Sequence, residues 1–210
     1  MNEADPAGIK EVFHRVKNNL QVISSLMELQ LMESDNLQAQ AALREAISRM
    51  QVFVIIYQQL LPEENFAAVD YGKVVTEIWR ARAGTEDGTF RLADFRNKIE
   101  TLPIHIETAI PLALILNELI TLSKQDNTEY PNRQIEIDCL ASGNGSCQLF
   151  YADNLLTPER NDAFLKGDEA FGLRLISGLS KQIGGNAVFP AGQETRFVIS
   201  FAPRKKLVKQ

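Results

Sequence analysis

His14 stands in the stretch Glu11-Val12-Phe13-His14-Arg15-Val16-Lys17-Asn18-Asn19-Leu20-Gln21, the part of the chain richest in groups that could do chemistry. Apolar residues recur through it at Ile9, Val12, Phe13, Val16, Leu20, Ile23 and Met27. At about 100° per residue these side chains share one face of a helix. His14 falls on the opposite side, in line with Asn18, Gln21 and Ser25. By itself that pattern describes a surface histidine. Its neighbours suit it to more. Arg15 and Lys17 can draw in an anionic group, and Asn18 and Gln21 can hydrogen-bond the ring or a partner's loops. A neutral imidazole, with a reference pKa of about 6.5, is a competent nucleophile toward phosphorus at neutral pH. A phosphate-accepting imidazole would be displayed in this way, on a rigid rod.

The elements that hold this stretch follow from the same periodicity. One helix is expected from Ala7 to Ser34, and Ser34-Asp35-Asn36 forms a polar turn. A second helix then runs to Leu61, with Leu43, Ile47, Met50, Val54, Tyr57 and Leu61 at steps of four and three. Two long helices with a short connection make an antiparallel hairpin. Each carries further apolar residues off its main stripe: Val22, Leu26 and Leu29 on the first, Phe53, Ile56 and Leu60 on the second. A lone hairpin cannot bury two faces, so a homodimer through a four-helix bundle is expected.

After Pro62 the composition changes. A helix is expected over Tyr71–Arg82, extended segments near Thr89–Phe95 and Ile99–Ile106, and a helix over Ile110–Lys124 with Pro111 in its first turn. Gln134–Leu140 and Cys147–Ala152 alternate as paired strands, and Leu155–Glu169 reads as a loop. Phe171–Ile183 is helical and stops at Gly184-Gly185, and Asn186–Phe189 with Thr195–Phe201 makes a last hairpin. Helices among mostly antiparallel strands give an α/β sandwich, one sheet with helices on one face. The whole is α+β, with a helical hairpin over 1–64, the sandwich over 65–203 and a basic tail over 204–210.

Composition narrows the function. Apolar residues form 45% of the 210, enough for a proper core, and the net charge of −5 comes with no basic cluster able to track a nucleic-acid backbone. The apolar run Ile110–Leu116 is too short to span a bilayer and an Asn-Glu pair follows it, so no membrane insertion is expected. No secretory leader opens the sequence, which favours the cytoplasm. Cys139 and Cys147 could pair across a hairpin, although reduced thiols suit that compartment better. No metal-ligand spacing is present, and no metal site is expected.

The segment His14-Arg15-x-Lys17-Asn18-Asn19-Leu20-Gln21-x-Ile23-x-Ser25-Leu26 closely resembles the phosphoacceptor helix of a two-component histidine-kinase subfamily, in which Arg follows the His where most histidine kinases have an acid. By this resemblance His14 is the phosphorylated residue. The second half resembles the ATP-binding domain of the same subfamily. Its first block is Ile110-Pro111-Leu112-Ala113-Leu114-Ile115-Leu116-Asn117-Glu118-Leu119-Ile120-Thr121. The family continues with Asn-Ala-x-Lys, whereas this chain reads Leu122-Ser123-Lys124-Gln125. Asn117 and Glu118 are kept, but Leu122 stands where an amide oxygen would hold Mg²⁺.

An isobutyl group offers a hard cation no lone pair. The second block, Tyr151-Ala152-Asp153-Asn154-Leu155-Leu156-Thr157, keeps the Asp that would accept from the adenine amino group. Leu155 and Thr157 replace two glycines that allow close backbone approach. In the third block Gly172 opens a helix whose N-terminus could hold an anion. Asn117, Glu118, Asp153 and Gly172 thus read as a vestigial nucleotide site. The expected function is a phosphorelay histidine phosphotransferase that exchanges a phosphoryl group with an aspartate of a response-regulator receiver domain, without a cofactor of its own. An ATP-dependent autokinase, which would need ATP and Mg²⁺, and a non-catalytic receiver-docking module are the alternatives.

Overall fold

The computed structural model describes residues 6–60, 68–83, 94–124, 133–141, 145–154, 171–188 and 196–202. Helices α1 (Pro6–Glu33) and α2 (Leu37–Leu60) form the expected hairpin. Its turn is built by side chains. Asn36 Oδ1 accepts from the backbone N–H of Gln38 at 2.9 Å and of Ala39 at 3.1 Å, capping α2. Phe13, Val16, Leu20, Met27 and Leu31 are half-buried along the face of α1, while Val12 and Ile23, placed on that stripe by the sequence, are exposed. They lie at its margin, which a single partner helix does not cover.

Beyond the hairpin come β1 (Ala68–Asp70), α3 (Tyr71–Ala83), β2 (Asp94–Asn97), β3 (Pro103–His105), α4 (Ile106–Lys124), β4 (Gln134–Ala141), β5 (Cys147–Asp153), α5 (Phe171–Gln182), β6 (Asn186–Val188) and β7 (Arg196–Phe201). The main sheet has the order β2-β4-β5-β7-β6, antiparallel except for the parallel β2–β4 pair. Ile135, Ile137, Leu149, Tyr151, Phe197 and Ile199 project from it into the core, where Leu112, Ile115, Leu116 and Leu119 of α4 meet them. A separate two-stranded ribbon pairs β1 with β3 antiparallel.

Several boundaries differ from the sequence reading, most of all around α4. The strand expected over Ile99–Ile106 shrinks to Pro103–His105, and α4 begins at Ile106. His105 Nδ1 accepts from the N–H of Glu107 at 3.3 Å, so the histidine starts the helix that had been placed four residues later. Pro111 is consequently inside α4 rather than in its first turn, and the C=O of Glu107 loses a helical donor. The short strand β1 was not anticipated. The expected loop over Leu155–Glu169 and the position of Gln125 lie outside the described residues.

The second apolar face of α2 has a different partner from the one expected. Of that face Ile56 and Leu60 are fully buried and Phe53 is half-buried; with the neighbouring Val52, also fully buried, they join one continuous core with Val69, Val74, Ile78, Leu112 and Leu116. The α/β half itself covers this face, so α2 belongs to both parts of the molecule. The corresponding face of α1 stays open: Val22, Leu26 and Leu29 are 59%, 57% and 57% exposed. One described helical segment, Ile106–Ser123, is long and apolar enough to cross a membrane, but 72% of it is buried as the core helix.

Candidate functional site

His14 is exposed on α1, as are Asn18, Gln21 and Ser25, and together they form the polar face that the spacing predicts. The adjacent Phe13 ring packs against Tyr57 of α2, with centroids 5.7 Å apart and planes at 40°. That contact fixes the helix rotation which turns His14 outward. Arg15 is less available than its sequence position suggests. Its Nε and Nη2 donate to Glu11 Oε1 at 3.0 and 2.6 Å, in an exposed pair one turn back. Lys17 is half-buried.

Asn117 and Glu118 come from the middle of α4 and are each 2% exposed. Both are engaged by α2. Ser48 Oγ donates to Asn117 Oδ1 at 2.8 Å. Arg49 grips the Glu118 carboxylate with two parallel bonds, Nε to Oε1 at 3.0 Å and Nη2 to Oε2 at 2.7 Å. Nη2 of the same arginine also reaches Glu45 Oε2 at 3.0 Å, and its guanidinium lies 4.7 Å over the Phe171 ring. Burial pulls the Arg49 pKa down, but the bonds and charge of Glu118 and Glu45 outweigh it and the net shift is upward.

From α3, Arg82 donates to Ser48 Oγ at 2.8 Å and to Thr121 Oγ1 at 3.0 Å. Burial lowers its pKa against the pull of the same two carboxylates. Gly172, at the start of α5, closes the cluster. A Cβ there would stand 3.1 Å from Glu118 Oε2. The anion beside this helix start is thus the protein's own carboxylate.

Asp153 ends β5 in a second cluster. It is 1% exposed, and its Oδ2 accepts from Arg133 Nη2 at 2.8 Å. The same Nη2 donates to the C=O of Ser123 at 2.7 Å, and Ser123 Oγ is 2.9 Å from Tyr151 Oη. Burial, and then the charge of Asp153, hold the Tyr151 phenol well above its ordinary range. The four positions expected to form one nucleotide site therefore divide into two groups: Asn117, Glu118 and Gly172 meet at the α2 interface, and Asp153 is bound by Arg133. Sequence reasoning did not select Ser48, Arg49, Arg82 or Arg133. Arg49 lies four residues after Glu45 and reads as an ordinary surface pair, and nothing local marks Arg133 as a buried cation.

The atoms that would face a metal–nucleotide are already engaged within the protein, and magnesium needs several oxygen ligands in near-octahedral geometry. Asn117 Oδ1 accepts from Ser48, both Glu118 oxygens accept from Arg49, and Leu122 brings no donor atom. The carboxylate that would read an adenine amino group is already in a buried ion pair with Arg133.

Residues 11–84 match a family model described as histidine kinase. Over 54 residues the chain is 39% identical to the sensor histidine kinase PdtaS of Mycolicibacterium smegmatis and 37% identical to PdtaS of Mycobacterium tuberculosis. The matched stretch is 26% of this chain and spans 11% of either relative's length. In fold, the chain is similar to the histidine kinase domain of the blue-light activated histidine kinase of Erythrobacter litoralis EL346. The TM-score is 0.65 at 20% identity, over 94% of this chain and 92% of the other. A second structure of that kinase gives 0.68 at 14% identity, over 92% and 61%. A hairpin with an exposed histidine, backed by a helix-covered mixed sheet, is thus an architecture this chain shares with that kinase domain. The family-model match covers residues 11–84 of the 210, and beyond it the likeness is one of fold alone.

Proposed function

We propose that the protein is a phosphorelay histidine phosphotransferase and that His14 carries the phosphoryl group. The observation that bears most weight is the contrast between the two sites. His14 is open to solvent on a rigid helix, whereas Asn117, Glu118 and Asp153 are sealed by arginines or a serine of the same chain. A nucleophile is presented, and the groups that would bring it ATP are spent on structure.

In this reading the donor is an acyl phosphate on the aspartate of a receiver domain. The lone pair of a neutral imidazole nitrogen attacks phosphorus, the P–O bond to the acyl group breaks, and the aspartate leaves as its carboxylate. Reversal returns the group. The receiver would supply its own Mg²⁺, so the histidine side needs alignment and charge neutralisation only. Asn18 and Gln21, exposed in line with His14, are placed to hydrogen-bond the ring or the approaching loops. Arg15 and Lys17 would contribute positive field, Arg15 less than its formal charge because Glu11 shares it. A homodimer through the open face of α1 completes the proposed assembly.

The test is phosphate acceptance by the native protein and by His14→Ala, each offered a phosphorylated receiver and, separately, labelled Mg-ATP. Acceptance from the receiver alone, abolished in His14→Ala, is expected. The variant should keep its stability to within about 0.5 kcal/mol, because the side chain is exposed. Robust labelling from Mg-ATP would favour the autokinase alternative. Receiver binding without any transfer would favour a docking module.

A further inference from the structure

Two free thiols stand at one end of the main sheet and take no part in either polar cluster. Cys139 of β4 and Cys147 of β5 project from the same side of the sheet as Ile135, Ile137, Leu149 and Tyr151, because residues two apart along a strand share a face. Cys139 is opposite Leu149 and Cys147 is opposite Ala141, so the two cysteines are diagonal neighbours. A side-chain hydrogen bond joins the thiols. Cys147 is only 6% exposed, whereas Cys139 is half-buried. A small molecule can therefore meet Cys139 while its partner stays covered.

We propose that Cys139 and Cys147 are a redox modification site, a dithiol that closes reversibly to an intramolecular disulfide by exchange with a low-molecular-weight disulfide such as oxidised glutathione. The Cys139 thiol gives up its proton and its sulfur attacks one sulfur of oxidised glutathione. That S–S bond breaks, one glutathione leaves as a thiolate and takes up a proton, and a mixed disulfide remains on Cys139. The Cys147 sulfur, deprotonated in turn, attacks the Cys139 sulfur and expels the second glutathione. The cysteines lose two electrons and two protons, and oxidised glutathione gains both as it becomes two thiols. Entry is slow, because burial keeps both thiols protonated. Closure is fast, because the second sulfur is already beside the first. The diagonal placement decides what kind of bond results. Diagonal Cα atoms in an antiparallel pair lie roughly 7–8 Å apart, and a relaxed disulfide spans at most about 6.8 Å. Closing the bond draws the strands together beside Ala141 and Cys147, the last pair of the ladder. A bond made against that displacement is reduced more readily than a structural one, so the site cycles.

The inference stands apart from the phosphotransfer reading, since its test contains no phosphoryl donor. The native full chain, Cys139→Ser and Cys147→Ser are incubated with oxidised glutathione at about pH 8, without urea and at several urea concentrations below the unfolding transition. Each sample is quenched in acid and weighed intact and after digestion. The native chain should lose the mass of two hydrogens, yield a linked Cys139–Cys147 peptide and regain the mass with dithiothreitol. Cys147→Ser should stop with one glutathione attached. Cys139→Ser should react at least about tenfold more slowly than the native chain, because its remaining thiol is covered. A native chain that gathers glutathione without closing would overturn the proposal, since the strands would then hold the sulfurs too far apart. A bridge between two chains would overturn it as well. So would a closure rate that climbs in step with the unfolded fraction as urea is added, because the bond would then belong to the unfolded chain.

Discussion

Cys139 and Cys147 lie on neighbouring strands, diagonally across the β4–β5 register, in which Ala141 faces Cys147 and Cys139 faces Leu149. Burial, then the charges of Cys147 and Asp138, push the Cys139 thiol from its ordinary value of about 9 up to about 12. Below about pH 9 the thiol is neutral folded or unfolded. Between about pH 9 and about 12 only the unfolded chain holds a thiolate, so this residue's contribution to stability declines as pH rises through that window. Iodoacetamide at about pH 8 should label Cys139 readily in urea and slowly in the folded protein. Fast native labelling would contradict the packing described. At this scale the sequence was informative about His14, whose outward position follows from helical period alone. It was silent about who pairs with whom. Asp153 and Glu118 stood out in the sequence as candidate site carboxylates, but their arginines come from distant elements, and only the tertiary fold brings them together.

Elements were legible where a long period repeats and less so where short signals compete. The hairpin emerged to within a residue or so at each end described, because some seven apolar turns agree with one another. The start of α4 did not. Alternation through Pro103–Ile106 imitates a strand, Pro111 imitates a first-turn proline, and the capping bond from Glu107 to His105 has no sequence signature. The turn of the hairpin offers a clean measurement. Asn36 satisfies two donors at the start of α2 through its side chain. Asn36→Ala should lower stability by about 1 kcal/mol in urea unfolding, with the unfolding slope unchanged. Asn36→Asp should retain most of that stability.

For the whole molecule, the doubled apolar faces of the hairpin turn out to serve two purposes. Sequence patterning showed that both helices carry a second face, and it suggested one partner for both. The structure spends the face of α2 on the α/β half and leaves that of α1 open. Periodicity can count faces; it cannot say which surface will cover each. The open face, Val22, Leu26 and Leu29 with Met32 beyond, is continuous and belongs to the helix that carries His14. Light scattering at micromolar concentration should therefore give twice the chain mass of 23.5 kDa. Leu26→Glu should lower that mass toward a single chain, because an unpaired charge would be buried in the bundle. A native protein of single-chain mass would show that this face has some other partner.

The chain has a single tryptophan, Trp79, stacked on Phe95 with ring centroids 4.4 Å apart and planes 8° from parallel. It therefore carries its own optical probe, mounted between α3 and β2 and away from the α1–α2 seam. Emission from that indole reports the α/β layer, while far-ultraviolet dichroism sums the helices of both regions, with a little over half of the described helical residues in the hairpin. Val52, Ile56 and Leu60 tie the two regions into one core, so the two signals should melt together in a single cooperative transition. Were the dichroism to fade first while the fluorescence held, the hairpin would be a separately melting unit and α2 would not be the shared spine of the molecule.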